Sequence, residues 1–261
     1  MSTSHPTLHA GFLTRPLAHR GFHDRAAGRP ENSRAAFVAA IENGFGIELD
    51  LQLSRDARAM VFHDYDLGRL TAQKGPIQQR TAAELANITL TGGAEGIPTL
   101  TEVLTLVAGR TPLLIEIKDQ DGAMGAAVGK LEQAAATALA GYGGPVAVMS
   151  FNPHSVRQMA GFSPSLARGI TTSAYTADDW PMLPAGTRDR LRDIPDYDST
   201  GACFISHEAE DLASARVADL RARGAAILCW TIRSAAQEAA ARRVAHNITF
   251  EGYVPQSDVR D

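Results

Sequence analysis

Apolar and polar residues alternate strictly along 45–53, which is the pattern of a β-strand whose side chains point to its two faces in turn. Among the polar members of this run are Glu48 and Asp50, two positions apart and therefore on the same face. A second run, 113–118, alternates in the same way and carries Glu116. The chain is thus predicted to contain two strands, far apart in sequence, that each present acidic side chains along one face.

Short apolar runs separated by stretches with helical spacing continue along the rest of the chain. Together with the two runs above they predict eight strands, at 17–19, 46–53, 113–118, 146–150, 167–171, 202–206, 226–231 and 247–250. Alternation of strands and helices in this number is typical of a (β/α)8 TIM barrel, an α/β fold. Because no repeat or linker divides the chain, residues 1–261 are predicted to form one domain, with 1–14 as a flexible tail.

A further apolar run, 59–63, follows the second strand too closely for a crossover helix, which needs a dozen or more residues. It is therefore predicted to fold back as an antiparallel arm on that strand. With the turn centred on residues 56–57, Asp50 would face His63 across the pair. The segment 64–99 is then a small insertion between this arm and the next barrel strand.

Catalytic side chains of a (β/α)8 barrel lie at the carboxyl ends of its strands, because the loops there form one mouth. Several charged or aromatic residues occupy this late position in the predicted strands: His19, Glu48, Asp50, Glu116, Lys118 and Trp230. We therefore expect these side chains to gather at one end of the barrel.

Three carboxylates at one mouth indicate a metal site. Glu48 and Asp50 can bind one cation from the same face of a strand, and Glu116 can supply a third ligand. All-oxygen ligation selects Mg²⁺, Ca²⁺ or Mn²⁺ over zinc. Without a cation, like charges about 5 Å apart would repel by about 3 kcal/mol per pair at an effective dielectric of about 20. A divalent ion, Arg20 and Lys118 would together balance the three carboxylates and a singly charged phosphodiester.

Two histidines complete this chemistry. Phosphodiester cleavage requires a proton to be removed from the nucleophile and another to be delivered to the leaving oxygen. His19 and His63 suit these roles because imidazole titrates near neutrality, and each role typically contributes ~10²–10⁴-fold in rate. Arg20 offers a planar fork for phosphate oxygens. Each motif taken alone is more often structural, so the prediction depends on their joint position at strand ends.

Composition and net charge limit the classes of partner that the protein is expected to bind. A net charge of −4 argues against a general nucleic-acid binder, which normally shows a basic face. No run approaches the ~20 apolar residues of a membrane span, and the first residues lack the features of a secretory signal. Cys203 and Cys229 are predicted to be reduced thiols. These features predict a cytoplasmic protein with a small-molecule substrate, no nucleic-acid partner and no stable membrane insertion, and they leave the oligomeric state open.

At these residues the chain resembles the glycerophosphodiester phosphodiesterase family. The matching blocks are His19-Arg20-Gly21, Pro30-Glu31-Asn32-Ser33, Glu48-Leu49-Asp50, His63-Asp64, Ile97-Pro98-Thr99-Leu100, Glu116-Ile117-Lys118, Ser150-Phe151-Asn152-Pro153 and Trp230-Thr231. The resemblance implies a (β/α)8 barrel that hydrolyses glycerophosphodiesters to an alcohol and glycerol 3-phosphate. It also implies that 64–99 is similar to the family's insertion, a cap over the barrel mouth.

By position, the resemblance implies that Glu48, Asp50 and Glu116 hold one divalent cation. It implies that His19 and His63 are the acid/base pair. Which histidine is acid and which is base stays open at this stage. So does the first nucleophile, which is either water or the substrate's own 2-hydroxyl, the latter giving a cyclic phosphate.

The resemblance also assigns roles around this centre. It implies that Arg20 and Lys118 bind phosphate and that Trp230 walls the substrate pocket. Glu31 and Asn32 fall in the family's Pro-Glu-Asn motif, where we expect them to support His19, Arg20 or the metal.

The last predicted strand departs from the family pattern. Family members usually end with a Gly-Ile-Ile-Thr-Asp-like strand and a proline, whereas 247–253 reads Asn-Ile-Thr-Phe-Glu-Gly-Tyr. This run closes the barrel equally well but predicts a different wall near Trp230. The headgroup preference therefore stays open, whereas the catalytic residues are untouched. The identity of the metal stays open for a separate reason, because oxygen ligands suit several hard cations.

Two other functions are weighed against this one. A lysophospholipase D or sphingomyelinase D-like relative would need an apolar rim facing a membrane, and the best candidate, 173–200, also carries several charges. A non-catalytic phosphate-ligand-binding barrel would not require both histidines. His23 and His207 lie near the predicted site but, like the other remaining histidines, are predicted to be structural rather than to contact the substrate.

Overall fold

The computed structural model describes residues 6–255. Within this range, eight parallel strands close into a barrel, because β1 pairs with β2 on one side and with β9 on the other. The strands are β1 (Leu17–Ala18), β2 (Gly46–Leu53), β3 (Ala59–Val61), β4 (Leu113–Ile117), β5 (Val146–Ser150), β6 (Ala167–Thr172), β7 (Phe204–Glu208), β8 (Ala226–Ile232) and β9 (Asn247–Phe250). β3 is the antiparallel arm on β2 and lies outside the ring. The predicted (β/α)8 barrel with its arm is confirmed.

Most helices cover the outside of the barrel between successive strands, but the first precedes β1 and the third lies in the insertion after β3. They are α1 (Gly11–Thr14), α2 (Arg34–Glu42), α3 (Ala82–Ala86), α4 (Leu100–Val107), α5 (Lys130–Leu139), α6 (Pro153–Phe162), α7 (Ala185–Arg192), α8 (Ala215–Ala222) and α9 (Ala235–Ala241). Ser33 caps α2 by accepting a hydrogen bond from Ala36 N, and capping boxes begin both α3 and α4. In the described residues no helix has the length and apolar character needed to cross a membrane.

Alternation along the strands separates two environments. Ile47, Leu49 and Leu51 of β2 point outward into the apolar layer beneath the helices, so Glu48 and Asp50 must point into the barrel. A second apolar cluster fills the interior at the opposite, amino-terminal end of the strands: Leu17, Leu114, Ala147, Phe204 and Leu228 are among its members. The barrel interior is therefore apolar at one end and polar at the mouth.

The amino-terminal segment differs from the prediction. Residues 1–5 of the predicted flexible tail lie outside the described range, but the part from 6 to 14 is packed against the barrel. Phe12 on α1 is fully buried in the interior apolar cluster, and Asn247 Nδ2 donates to Phe12 O at 2.7 Å and to Arg15 O at 2.6 Å. The open end of a barrel exposes apolar side chains, and this segment covers them.

The hairpin register is shifted by one residue from the prediction. Gln52 lies opposite Met60, not Val61, because the turn is a three-residue loop in which Ser54 N donates to Arg58 O. Ala57, the last loop residue, has a left-handed backbone with φ of 57°, as such loops require. His63 consequently does not pair with Asp50 across the strands and reaches the mouth on the loop that follows β3.

The insertion after β3 has an apolar core of its own. Phe62, Leu67, Ile77 and Leu85 are fully buried and pack together in one cluster. Short 3₁₀ turns at Leu67–Arg69 and Ile77–Gln79 and helix α3 provide its regular structure. We call residues 64–99 the cap.

Candidate active site

Three carboxylates from two neighbouring strands meet at the carboxyl end of the barrel. β2 directs Glu48 and Asp50 inward, and its register with β4 puts Glu116 directly beside Asp50. One oxygen of each carboxylate lies within 4.8 Å of the others, and all three residues are buried. The structure thus brings together the three acidic residues that the alternating pattern selected. We call Glu48, Asp50 and Glu116 the acidic cluster.

Two cationic side chains lie against the acidic cluster. Lys118 Nζ is 2.8 Å from Asp50 Oδ1 and 2.5 Å from Glu116 Oε1. Arg20 Nε is 3.4 Å from Asp50 Oδ2. Both side chains are mostly buried, with about one sixth of their surface exposed. Positive charge is therefore available in the mouth beside the carboxylates.

The backbone at Arg20 and Asn32 takes an unusual form. Both residues have a left-handed conformation, with φ of 57° and 56°, which costs most residues about 1–2 kcal/mol. Arg20 N donates to Glu48 Oε2 at 3.0 Å, and Asn32 N donates to Arg20 O at 2.9 Å. Asn32 Nδ2 donates to Asp50 Oδ2 at 2.9 Å. Hydrogen bonds to the acidic cluster thus compensate the local strain of both residues.

The pKa values of Glu48 and Asp50 are shifted in opposite directions. Burial, and then the charges of Asp50 and Glu116, raise the pKa of Glu48 well above its ordinary value. Burial also opposes ionisation of Asp50, but nearby cations, chiefly Lys118, outweigh it and hold the Asp50 pKa below its usual range. Glu48 is therefore the carboxylate that most lacks a positive partner. Three oxygen donors around such a deficit fit a hard divalent cation.

His63 is held by its neighbour in sequence. Its Nδ1 lies 2.6 Å from Asp64 Oδ1, which turns Nε2 away from Asp64. Arg69 Nε donates to the other oxygen of Asp64 at 2.6 Å. Burial works against ionisation of Asp64, but the hydrogen bonds from His63 and Arg69 outweigh it and hold the Asp64 pKa far below its usual range.

His19 is held by a residue 232 positions away. Its Nδ1 lies 2.6 Å from Glu251 Oε2, just beyond the end of β9, and its Nε2 lies 4.0 Å from Glu48 Oε2. Arg233 binds the other oxygen of Glu251 through Nε at 2.9 Å and Nη2 at 2.7 Å. Burial lowers the pKa of His19 below its ordinary value, although the hydrogen bond to Glu251 acts in the opposite direction.

Glu251 is the site residue that the sequence reasoning missed. It falls in the run 247–253 that departs from the family pattern, at the carboxyl end of the last predicted strand. An acidic residue at that position was a usable signal, because the same rule had selected Glu48 and Glu116. Arg69 and Arg233 were also missed, and nothing in the local sequence distinguishes them from other surface arginines.

The two residues of the Pro-Glu-Asn motif support different groups. Glu31 Oε1 accepts a hydrogen bond from Arg20 Nη1 at 2.7 Å, whereas Asn32 bonds to Asp50. Arg69 binds both oxygens of Glu31 at 2.8 Å. Hydrogen bonds from Arg69, then the charge of Arg20, hold the Glu31 pKa below its usual value against the effect of burial.

A cavity of about 170 Å³ opens between these groups. Its lining includes the predicted residues His19, Arg20, Glu48, His63, Glu116, Lys118 and Trp230. A larger hollow, of about 650 Å³, lies at the surface around Tyr142 and Phe162. Chemistry rather than volume distinguishes the smaller cavity, which has carboxylates, cations and imidazoles on its walls.

One wall of the cavity is aromatic. Trp230 Nε1 donates to Ser206 O at 3.0 Å, which fixes the indole. Phe151 packs edge to face on Trp230 with ring centroids 5.5 Å apart, and Trp180 lies 5.0 Å from Phe151. Phe151 and Trp230 both line the cavity and give it an apolar surface beside the charged residues.

The two further histidines lie in different places. His23 Nε2 is 3.7 Å from Glu251 Oε2, close to the site. His207 does not line the cavity. Its Nδ1 bonds to Thr172 Oγ1 at 2.7 Å and its Nε2 to Asp211 Oδ2 at 3.1 Å, so both ring nitrogens have internal partners.

Comparison with known proteins shows related sequences over most of the chain. A model of the glycerophosphoryl diester phosphodiesterase family matches residues 19–247. A glycerophosphodiester phosphodiesterase of Caldanaerobacter subterraneus is 32% identical over 64% of this chain and 70% of its own length. The YhdW protein of Bacillus subtilis is 30% identical over 84% of this chain and 86% of its own length. A shorter match, 41% identical, covers 41% of this chain and 45% of a glycerophosphodiester phosphodiesterase of Bacillus altitudinis.

Solved structures share the fold at lower identity. A phosphodiesterase of Oleispira antarctica, in complex with the product sn-glycerol-3-phosphate, is 24% identical with a TM-score of 0.75 and covers 92% of this chain and 93% of its own. A glycerophosphodiester phosphodiesterase of Parabacteroides distasonis is 22% identical with a TM-score of 0.71 and covers 91% and 92%. At these identities the likeness establishes the barrel alone.

Proposed function

This chain belongs to the glycerophosphoryl diester phosphodiesterase family and is an enzyme of that class, and from this premise we propose that it acts with one divalent cation and two histidines. The observation that carries the proposal is the convergence of three carboxylates from two strands beside a cavity that two imidazoles also line. The net reaction is hydrolysis of a glycerophosphodiester to an alcohol and glycerol 3-phosphate.

Glu48, Asp50 and Glu116 would hold the cation. Their three oxygens are close enough to share one ion, and burial, followed by the charges of Asp50 and Glu116, raises the pKa of Glu48. Mg²⁺, Ca²⁺ and Mn²⁺ all accept such a donor set. A bound divalent cation supplies positive charge that polarises a phosphoryl oxygen.

Arg20 and Lys118 bind the phosphate group of the substrate in this proposal. Both line the cavity, and both are paired with carboxylates that fix their side chains. Arg20 presents a planar guanidinium, which suits two phosphate oxygens at once. Lys118 carries a compact charge, and its pKa lies above its ordinary value because Asp50 and Glu116 outweigh the effect of burial. It therefore stays cationic throughout the working range of pH.

His19 and His63 divide the proton transfers between them. In each imidazole Nδ1 is hydrogen-bonded to a carboxylate, which leaves Nε2 to face the substrate. One Nε2 takes the proton of the attacking hydroxyl as the new P–O bond forms. The other Nε2 delivers a proton to the alcohol oxygen as its bond to phosphorus breaks. Asp64 and Glu251 stabilise whichever imidazole becomes positively charged.

Trp230 and Phe151 are proposed to contact the uncharged part of the substrate. They form the apolar part of the cavity lining and pack edge to face on one another. Glycerol 3-phosphate as the product is supported by the Oleispira antarctica phosphodiesterase, whose structure holds that product. Cytoplasmic location stays a prediction, to which the two free cysteines of the described chain add support.

A lysolipid phosphodiesterase is the second candidate, and one observation favours it. Met182, in the segment that follows Trp180, has 88% of its surface exposed. Asp178 and Asp179 flank this segment with charge, which disfavours insertion into a lipid surface. The water-soluble diester is therefore the better substrate in this proposal.

The test is an assay of the purified protein on glycerophosphocholine, glycerophosphoethanolamine and a lysophospholipid, with Mg²⁺, Ca²⁺ or EDTA. We expect turnover of the soluble diesters and its loss in EDTA. His19→Ala and His63→Ala should each lower it by about 10²–10⁴-fold, whereas His9→Ala, which changes an exposed histidine before β1, should leave it unchanged. Undiminished turnover in EDTA would refute the metal role, and preference for the lysophospholipid would establish the second candidate.

A further inference from the structure

Arg69 makes the most extensive set of charged hydrogen bonds near the mouth, and the function proposed above does not use it. It ends the first 3₁₀ turn of the cap. Its Nε and Nη2 donate to the two oxygens of Asp64 at 2.6 and 2.8 Å. Its Nη1 and Nη2 donate to the two oxygens of Glu31 at 2.8 Å each. One guanidinium thus forms two bidentate pairs with carboxylates from two separate loops.

Each of these carboxylates also holds a group that lines the cavity. Glu31 Oε1 accepts from Arg20 Nη1 at 2.7 Å. Asp64 Oδ1 bonds to His63 Nδ1 at 2.6 Å. The hydrogen bonds therefore run without a break from Arg20 through Glu31, Arg69 and Asp64 to His63.

We propose that Arg69 is a positioning residue that fixes Arg20 and His63 relative to one another across the mouth. Arg69 does not itself line the cavity, so it acts through Glu31 and Asp64. Arg69 belongs to the cap. The positions of Arg20 and His63 therefore depend on the cap being docked against the barrel. The inference rests on the roles proposed above for Arg20 and His63.

The shape of the arginine side chain explains why this residue type stands here. Three of its nitrogens are used, and Nη2 serves both carboxylates. A lysine ammonium keeps the charge but cannot present a planar fork along two edges. Without any cation at 69, Glu31 and Asp64 would each lose a bidentate partner. Their hold on Arg20 and His63 would then loosen.

The experiment compares Arg69→Ala and Arg69→Lys with Arg55→Ala as a matched control. Arg55 also joins the barrel side to the cap, through Glu84 at 3.2 Å and the carbonyl oxygen of Gln79 at 3.2 Å, but touches no residue of the site. With glycerophosphocholine as substrate, we expect Arg69→Ala to lower kcat/KM by about 10- to 100-fold, the usual effect of losing a residue that orients a ligand-binding group. Arg69→Lys should recover part of this loss, and Arg55→Ala should match the wild type.

Variants that break only one of the two links from Arg69 distinguish a positioning role from a general loss of structure. Glu31→Gln weakens the hydrogen-bond link to Arg20 and should raise KM. Asp64→Asn weakens the link to His63 and should lower kcat. Arg69→Ala should do both. In the double variant of Arg69→Ala with Asp64→Asn, kcat should be no lower than with Asp64→Asn alone, because the two changes break one path. Additive losses would contradict the proposal.

A second measurement does not depend on turnover. The ring nitrogen signals of His63 in NMR spectra report its tautomer and hydrogen bonding, and we expect Arg69→Ala and Arg69→Lys to shift them and Arg55→Ala to leave them unchanged. If the arginine 69 variants match the Arg55 control in kinetics and in these signals, the inference is wrong while the proposed function stands. If the wild type turns over no phosphodiester yet the His63 signals shift as expected, the coupling stands and the proposed function fails.

Discussion

His19 and His63 both line the cavity, and their imidazoles are bound in the same way. In both, Nδ1 lies 2.6 Å from a carboxylate oxygen, and an arginine binds the other oxygen of that carboxylate. We call His19, Glu251 and Arg233 the barrel trio, and His63, Asp64 and Arg69 the cap trio. The local chemistry of the two is matched, although they are assembled from different parts of the fold.

The two trios differ in what holds them together. His63 and Asp64 are adjacent in sequence, and the whole cap trio lies in the loop after β3. The barrel trio requires closure of the barrel, since β1 and β9 must pair before Glu251 can reach His19. The His19 side chain is 14% exposed and that of His63 is 30% exposed. A histidine–carboxylate–arginine arrangement can therefore form within one short segment, as in the cap trio, or only when distant strands pair, as in the barrel trio.

The largest expected effect is loss of either imidazole. His19→Ala and His63→Ala should each lower kcat by about 10²–10⁴-fold, because each removes one proton-transfer group. Steady-state kinetics on glycerophosphocholine would check this. A loss confined to one of the two variants would contradict the matched roles of the trios.

Neutralising the carboxylate of each trio should have the next largest effect. Glu251→Gln and Asp64→Asn keep the size of the side chain but remove the negative charge that stabilises a protonated imidazole. We expect kcat to fall by about 10- to 100-fold in each, as for other residues that orient a catalytic or ligating group. If either variant kept full activity, its carboxylate would be structural only.

Stability should separate the trios more clearly than activity does. Glu251→Gln should lower the global free energy of unfolding by about 1–3 kcal/mol, because it weakens the junction of β1 and β9. Asp64→Asn should act mainly on local opening of the cap, which hydrogen exchange would detect. Urea unfolding of both variants provides the global measurement. Equal global losses would show that cap and barrel unfold as one unit.

The stability effect of Glu251 should depend on pH. The hydrogen bond from His19, and after it the nearby imidazole of His23 at 3.7 Å, hold the Glu251 pKa well below its usual value, despite partial burial. An unfolded glutamate titrates near pH ~4.3, so the carboxylate stabilises the fold fully above that pH and progressively less as the pH falls toward its folded value. The difference in unfolding free energy between wild type and Glu251→Gln should therefore be larger at pH 7 than at pH 3.5. A difference that grows on acidification would contradict this pairing.

The smallest effect is expected at Arg233. Its side chain is 60% exposed and binds the carboxylate of Glu251, whereas Arg69 binds two carboxylates. Arg233→Ala should lower kcat/KM by less than about fivefold, because exposed ion pairs contribute about 1 kcal/mol at most. A loss equal to that of Arg69→Ala would show that Arg233 contacts the substrate.

Several features of the fold could be predicted because they depend on local pattern. The alternation in β2 and the spacing of the later runs identified the barrel strands, and the same alternation selected Glu48, Asp50 and Glu116. The packed segment from 6 to 14 was missed because its few apolar residues show no periodicity. They are buried only because the end of the barrel needs a cover.

The hairpin shows how a small local choice escapes pattern reading. A two-residue and a three-residue loop put opposite faces of the run 59–62 toward the barrel. The run is apolar and buried at every position, so its pattern fits either register, and the structure adopts the three-residue loop with Ala57 left-handed. His63 still reaches the cavity, because Gln52 Nε2 donates to its carbonyl oxygen at 2.9 Å and the loop after β3 turns inward.

The sequence by itself determined which residues form strands, which face of each strand is polar, and that the ends of these strands carry acids, bases and cations. The tertiary structure alone decided that Glu251 binds His19 and that Arg69 joins Arg20 to His63 through two carboxylates. The reason is one of scale. The periodicity of a strand indicates which of its side chains face the core, and it can be recognised from neighbouring residues in the sequence. A hydrogen bond between distant residues depends on the position of every strand between them, and that position is set only when the barrel closes.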